Sequence, residues 1–351
     1  MVLTQIDDAG HEQVTYFVDE ETGLRAIVGI HDTTLGAGLG GTRLYDYESD
    51  EAALEDVLRL SRAMTYKAAA ADLPLGGGKA VIVGDPGLKS EALFEAYGRV
   101  IDCLGGRYVT SVDMNTTIDD MDVIARETAY VAGTSAGLGN PSPITAHGAL
   151  ASIETCVDHV YGTDSLDGVD VLIQGIGKVG RPLAESLLDR GADVTVADVD
   201  EAAVEAFCSD TDAESIAPDA VYGEPCDVFV PCAIGGVVND ETVSELACDV
   251  IVGVANNVLD ERRHAEALYE RDILYAPDYV VNAGGLITVA KEYLGGTRTE
   301  AFEDAAAIGD RLRTMIDRAE TEGMTVLEAA DAYAESRIES AESTTPARPA
   351  E

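Results

Sequence analysis

Lysine is almost missing from this chain: among 351 residues only Lys67, Lys79, Lys89, Lys178 and Lys291 carry an ammonium. Cations of any kind are scarce, 23 Lys and Arg against 65 Asp and Glu, and the formal net charge is −42. A field of that sign repels phosphate backbones and anionic lipid, so nucleic acid and membrane are excluded as partners. Metal-ligand spacing is missing too. Cys103, Cys156, Cys208, Cys226, Cys232 and Cys248 form no CxxC pair and join no His/Cys cluster. No metal is therefore expected, and buried free thiols are the default. No apolar run approaches the roughly 20 residues of a membrane span. The first residues lack the basic segment and long apolar core of a signal peptide, so none is expected. Internal repeats and low-complexity tracts are absent.

What is present suits two globular domains, with 46% hydrophobic and 25% charged residues over a length that can bury two cores. The acids are dispersed along the chain and do not gather in a tail. In molar salt the screening length falls to roughly 3 Å, and such a surface no longer drives itself apart. The composition is that of a salt-adapted cytoplasmic protein of the kind an extreme halophile makes, with an ordinary acidic protein as the alternative.

Against that scarcity, two of the five lysines lie 12 residues apart in one apolar, glycine-rich stretch running from Met64 to Ile82. Lys67 stands near the end of a predicted helix over 50–71, spaced by Leu54, Val57, Leu58 and Met64; Lys79 stands at the mouth of a predicted strand over 79–83. Solubility gives no reason to put them there. Desolvation and a like-charged neighbour both lower an ammonium pKa, which makes the pair a candidate for proton chemistry. Gly76-Gly77-Gly78-Lys79 is not a phosphate loop, because Leu73 and Ala80 stand where that motif needs Gly and Ser or Thr.

Upstream, 13–18 and 24–30 read as a hairpin. The glycines of Thr34 to Leu44 mark either a close backbone approach or a tight turn between strands. Downstream come a helix over 90–104, a strand over 108–113 and a helix over 117–128. Asp113 closes that strand; it is either a plain turn-former or, beside two lysines, a proton carrier.

Small residues and prolines over 132–143 mark a domain boundary, followed by a helix over 144–161. The strand 169–174 then runs into Gly175-Ile176-Gly177-Lys178-Val179-Gly180, a helix over 181–190, and a strand over 193–197 closing on Asp198, 23 residues beyond the first glycine. Strand, GxGxxG, helix and distal acid together make the dinucleotide-binding context, in which glycines admit a pyrophosphate to a helix N-terminus. Asp198 would bond ribose hydroxyls and repel a 2′-phosphate, and no Arg or Lys occurs in 199–203, which favours NAD over NADP. Three more strand ends are predicted at 229–233, 251–257 and 279–285. Ligands of open parallel sheets lie beyond such ends, making Asn256 and Asn282 candidates for the nicotinamide ribose and amide, with turn-forming asparagines as the alternative. The chain reads as helical and acidic from residue 300, ending in a disordered tail over 343–351.

The motifs fall in one order: Met64-Thr65-Tyr66-Lys67, Pro74-Leu75-Gly76-Gly77-Gly78-Lys79, Asp113 before Asn115-Thr116, Pro143-Ile144-Thr145, the GxGxxG, Pro231-Cys232-Ala233, Ala255-Asn256-Asn257 and Asn282-Ala283-Gly284-Gly285. In this the sequence resembles the glutamate/leucine/phenylalanine/valine dehydrogenase family. The resemblance implies an α/β protein of two domains with the active site in the cleft between them. Residues 1–140 would form a substrate-binding and oligomerisation domain with a mixed sheet, joined by a C-terminal helix within 325–342. Residues 141–324 would form an NAD-binding Rossmann domain. The activity implied is reversible NAD-dependent oxidative deamination of an L-amino acid to a 2-oxo acid and ammonium by a homo-oligomer.

By the same resemblance Lys79 activates the water that attacks the imine, Lys67 holds the substrate carboxylate, and Asp113 exchanges a proton with the amine. Thr145, Gly175, Gly177, Lys178, Val179, Gly180, Asp198, Cys232, Ala233, Ala255, Asn256 and Asn282 would meet the cofactor, and Leu39, Gly40, Gly41, Leu286 and Val289 the substrate. Glutamate-specific members carry a lysine where this chain has Leu39 and a serine where it has Val289, so an apolar substrate is implied, leucine and its branched-chain relatives first. Phenylalanine stays open, since branched-chain members tend to have Gly where Asn115 stands. Two rivals are weaker. A hydroxyacid dehydrogenase wants a His base, and none of the five histidines lies beside an Arg in a strand-end motif; a non-catalytic NAD-binding regulator has little reason to keep both lysines and Asp113.

Overall fold

The computed structural model describes residues 2–341, so the tail expected over 343–351 lies outside the described residues. The described residues divide into two compact units, one of 2–139, Leu286–Glu300 and 334–341, the other of Asn140–Gly285 and Ala301–Tyr333. Residues 286–300 thus group with the first unit and not with the nucleotide-binding span expected over 141–324.

The first unit is built on a mixed five-stranded sheet: β1 (Gln13–Asp19), β2 (Leu24–Asp32), β3 (Gly38–Tyr45), β4 (Gly76–Val83) and β5 (Tyr108–Val112), in the order β1-β2-β4-β3-β5. The β1–β2 and β2–β4 pairs are antiparallel, β3–β4 and β3–β5 parallel. Alternate residues serve opposite faces. Val28, Ile30, Leu44, Ala80, Ile82 and Tyr108 share one core cluster with Phe94, Tyr97, Met121 and Ile124, from the helices Glu91–Cys103 and Ile118–Ile124. Ile27 and Val81 pack on the other face under Ala53, Leu54, Val57 and Leu58 of the helix Asp50–Ala70. Ser49 caps that helix, accepting from the Ala52 amide, and Asp50 and Glu51 complement its positive end. Arg337 of the last helix, Val326–Ser340, closes its other end, donating to the Ala69 and Leu73 carbonyls at 3.1 and 3.0 Å.

The open glycine stretch resolves into strand. Gly38, Leu39, Gly40 and Gly41 lie inside β3, between two neighbours, and the approach that the three bare glycines permit is to strands of their own sheet. The helix expected over 117–128 is shorter, Ile118–Ile124, set by a capping box between Thr117 and Asp120.

The second unit holds a parallel six-stranded sheet: β6 (Asp170–Gln174), β7 (Asp193–Ala197), β8 (Glu214–Ser215), β9 (Cys226–Pro231), β10 (Cys248–Val252) and β11 (Leu274–Ala276), ordered β11-β10-β9-β6-β7-β8. The order reverses between β6 and β9, so a crevice opens at their carboxyl ends. The strand end expected over 279–285 is corrected. Those residues fall in the helices Asp278–Val281 and Gly284–Tyr293, and the strand is the preceding Leu274–Ala276. Pro277 ends the ladder and opens the first helix, and burial of Val280 and Val281 within that turn outweighs their β-preference. The cysteine expectation holds for Cys156 and Cys248, whereas Cys103 is exposed. No described helix is long and apolar enough to cross a membrane.

Candidate active site

Lys79 lies on β4 and Asp113 just beyond β5, with β3 between them. They meet because the intervening residue is Gly41, next to Lys79 in the β3–β4 register and paired with Ser111 across β5. A Cβ on Gly41 would come within 2.8 Å of the Asp113 Cβ and 2.5 Å of the Val112 carbonyl oxygen. With that position bare, the Lys79 ammonium reaches Asp113 Oδ1 at 3.1 Å. Gly40 is bare for a related reason, since a Cβ there would overlap the Gly78 carbonyl oxygen. The Tyr108 hydroxyl, inside the core, donates to the Gly40 carbonyl at 2.7 Å and fixes the strand at this point.

Asp113 is held from several sides. Its backbone amide donates to Thr116 Oγ1 at 2.8 Å, and that hydroxyl donates onward to the Thr42 carbonyl at 2.9 Å. Asn115 takes a left-handed backbone, φ 60°, and its side-chain amide donates to the Leu44 carbonyl at 3.0 Å. The position therefore requires a positive φ, which Asn tolerates better than most residues. Asp113 Oδ2 accepts from Arg43 Nε at 3.0 Å.

Lys79 keeps 6% of its surface exposed, and this burial lowers its pKa below the ordinary lysine value; the attraction of Asp113 offsets only part, and the Arg43 guanidinium adds to the lowering. Burial by itself would raise the Asp113 carboxyl. The Lys79 and Arg43 charges, with their hydrogen bonds, outweigh it and leave the group below its usual value. Lys67 is half-buried in the last turn of the helix that covers this face of the sheet. Leu39 and Leu286 are buried, Val289 is half-buried, and all three belong to this unit.

In the second unit the three motif glycines have different reasons. Gly175, at φ 102°, leaves room for Ala233, whose amide nitrogen would stand 2.9 Å from an added Cβ. Gly180 lets its helix press on the Gly175 carbonyl, which a Cβ would overlap. Gly177 is exposed, and an added Cβ would meet nothing within 4 Å among the described residues. The helix that follows, Gly180–Leu188, has no side-chain cap at its N-terminus. Bare backbone beside uncapped amides is a cradle for a pyrophosphate, and these residues fit a dinucleotide. Lys178 is exposed and Val179 half-buried beside it. The two Asp198 oxygens accept the Ile176 and Asp200 amides at 2.9 and 3.0 Å, which ties the acid to the glycine turn.

Beyond the other strand ends, Asn282 donates from its side-chain amide to the Val254 carbonyl and to Asn256 Oδ1, both at 3.0 Å, so the two candidate asparagines stand together with Ala255 next to them. Thr145, in the first turn of the helix Ser142–Tyr161, packs against Gly284 and donates to the Pro141 carbonyl. Burial pushes the Cys232 thiol up to about 12, which leaves it neutral beside Ala233.

Two family models match the chain, "Glu/Leu/Phe/Val dehydrogenase, dimerisation domain" over residues 11–130 and "Glutamate/Leucine/Phenylalanine/Valine dehydrogenase" over 195–345. The chain belongs to the Glu/Leu/Phe/Val dehydrogenase family. It is 46% identical to a leucine dehydrogenase of Bacillus cereus, over 97% of this chain and 94% of that protein. It is 44% identical to a phenylalanine dehydrogenase of Lysinibacillus sphaericus, over 94% and 89%. The crystal structure of an L-tryptophan dehydrogenase from Nostoc punctiforme superposes with a TM-score of 0.89 at 40% identity, covering 97% of this chain and 99% of that one. As a family member the protein is an amino-acid dehydrogenase dependent on a pyridine nucleotide.

Arg43, Asp56 and Tyr47 were not among the residues singled out from sequence. Their one signal there was an arginine two positions after Gly-Gly in an otherwise apolar strand.

Proposed function

We propose that the enzyme carries out NAD-dependent reversible oxidative deamination of an apolar L-amino acid, leucine and other branched-chain substrates foremost, releasing the 2-oxo acid and ammonium. The observation that carries this reading is the Lys79–Asp113 pair, 3.1 Å apart and sheltered in a sheet thinned by glycine. When bound, the nicotinamide supplies the acceptor or donor of hydride. Lys79, whose buried ammonium loses its proton more readily than an exposed one, takes a proton from the water that attacks the imine carbon. Asp113, kept ionised, exchanges a proton with the substrate amine. Lys67 holds the substrate carboxylate by charge.

Leu39, Leu286 and Val289 form the apolar side of the substrate site along the Gly40-Gly41 backbone. A glutamate side chain buried there unpaired would cost several kcal/mol. Phenylalanine is the second reading, favoured by the near-equal identity to leucine and phenylalanine enzymes. Thr145, Lys178, Val179, Cys232, Ala233, Ala255, Asn256 and Asn282 join the glycine turn in holding the cofactor. NAD is favoured over NADP because Asp198 is tied to that turn and Glu201 follows in the next helix, so a 2′-phosphate would meet acids. The net charge of −42 fits a cytoplasmic enzyme that works, as a homo-oligomer, in high salt.

The test is NADH oxidation in molar KCl with 2-oxo-isocaproate, phenylpyruvate or 2-oxoglutarate, with and without ammonium. Ammonium-dependent loss of NADH, fastest with 2-oxo-isocaproate and least with 2-oxoglutarate, is the expected result. Turnover without ammonium, or preference for 2-oxoglutarate, overturns it.

A further inference from the structure

Beyond the lysine and aspartate, the same face of the first sheet carries a run of charges that the reaction as described does not use. Arg43 lies on β3, two residues past Gly41 and on the same side of the strand. Its guanidinium is split between two carboxylates. Nε donates to Asp113 Oδ2 at 3.0 Å, and Nη1 donates to Asp56 Oδ2 at 2.8 Å. Asp56, on the helix Asp50–Ala70, is itself fully engaged: the Tyr47 hydroxyl donates to Oδ2 at 2.6 Å and Arg59 Nη2 to Oδ1 at 2.7 Å. From β4 outward the signs alternate: Lys79, Asp113, Arg43, Asp56, Arg59. The side chains of Arg43 and Asp56 keep 18% and 15% of their surface, so solvent screens this part of the chain much less than an exposed pair.

We propose that Arg43 is a positioning residue for the deamination reaction. It grips Asp113 by one oxygen so that the other faces the Lys79 ammonium, and it is anchored in turn by Asp56. Only a planar fork can hold two carboxylates in fixed directions at once; a lysine in its place would be a point charge that settles on one of them. The groups that face Asp113 are Lys79 from β4 and Arg43 from β3; those that face Arg43 beyond it are Asp56 from the helix and Tyr47 from the turn after β3. Arg43 therefore acts on the proton affinities of both partners. Its charge favours the ionised carboxylate of Asp113 and the neutral amine of Lys79.

The proposal rests on the roles given above to Lys79 and Asp113, and its test separates the two. Arg43→Gln, Arg43→Lys and Asp113→Asn are compared by pH profiles of kcat/KM with L-leucine, by NADH affinity from fluorescence, and by melting curves in molar KCl. In Arg43→Gln, kcat is expected to fall about tenfold or more while NADH affinity holds. Both limbs of its profile should move to higher pH by about one unit, the acid limb because Asp113 regains affinity for its proton and the basic rise because Lys79 does. Arg43→Lys restores the charge but not the fork, so the limbs should return toward their original positions while kcat stays reduced. A mere loosening of the fold would lower kcat without moving the limbs. Limbs that stay in place in a folded Arg43→Gln enzyme overturn the proposal. If that variant does not fold, full kcat in Arg43→Lys overturns it. An active Asp113→Asn enzyme overturns instead the reading of Asp113 on which the proposal stands.

Discussion

The two units prepare their ligand sites by opposite means. In the first, the chemistry is carried by side chains: Lys79, Asp113 and Arg43 converge on a patch from which Gly41 has removed competing atoms. In the second it is carried by backbone: a bare glycine, a helix N-terminus without a side-chain cap, and an acid tied to the turn by peptide amides. Glycine serves both, but differently. In β3 it lets neighbouring strands bring charges together, and at Gly177 it leaves open space at the turn. Turnover should therefore fail through side-chain changes in the first unit, and cofactor affinity through backbone changes in the second.

The largest expected effect comes from the first unit. Lys79→Ala should lose about a thousandfold in turnover, in the range of a lost general base, while NADH affinity stays within about twofold. Equal loss of both would mean that the lysine is structural. The second unit offers a paired test. Gly180→Ala, where a Cβ would overlap the Gly175 carbonyl, should destabilise by about 3 kcal/mol and show it in the melting curve. Gly177→Val should melt like the parent yet weaken NADH binding by about tenfold or more, because it fills only the cradle. A Gly177→Val enzyme with undiminished affinity would remove the pyrophosphate from that turn. Next in size, Asp198→Ser should shift the NADPH-to-NADH ratio of kcat/KM upward by about tenfold.

The smallest effect is on stability. His31 packs edge-on against His11, its Nδ1 lies 2.9 Å from Thr65 Oγ1, and burial followed by the His11 charge lowers its pKa from 6.5 to about 4. The unfolded chain binds that proton more readily than the folded one between those values. The stability His31 contributes is thus whole above pH 6.5 and lost as pH falls toward 4. A His31→Gln protein should show a flatter melting temperature across that window, and an unchanged slope would assign the acid sensitivity elsewhere.

Much of this was legible in the sequence because it is local. The strand-glycine-helix-acid arrangement of 169–198 is a contiguous instruction, and the lysine pair stood out against a chain with only three others. What could not be read is what depends on sheet order. Lys79 and Asp113 meet only because β3 slots between β4 and β5 with Gly41 at the crossing, and no spacing in the chain announces that insertion. Arg43 and Asp56, 13 positions apart, show a strand arginine and a helix aspartate; their bond follows from the helix packing on that face. The misread stretch at 279–285 failed for the converse reason: Val280 and Val281 have strand preference, but Pro277 and burial decide for helix.

The scarcity that marks this chain also gives the means of testing it. With five lysines, ¹³Cε-lysine labelling yields a spectrum in which Lys79 is identified by its loss in Lys79→Arg. Titrated in molar KCl, the Lys79 signal should turn below the ordinary lysine value of about 10.4, and lower still in Asp113→Asn, where the offsetting carboxylate is gone. A Lys79 that titrates at or above about 10.4, or one that Asp113→Asn leaves unmoved, would contradict the account.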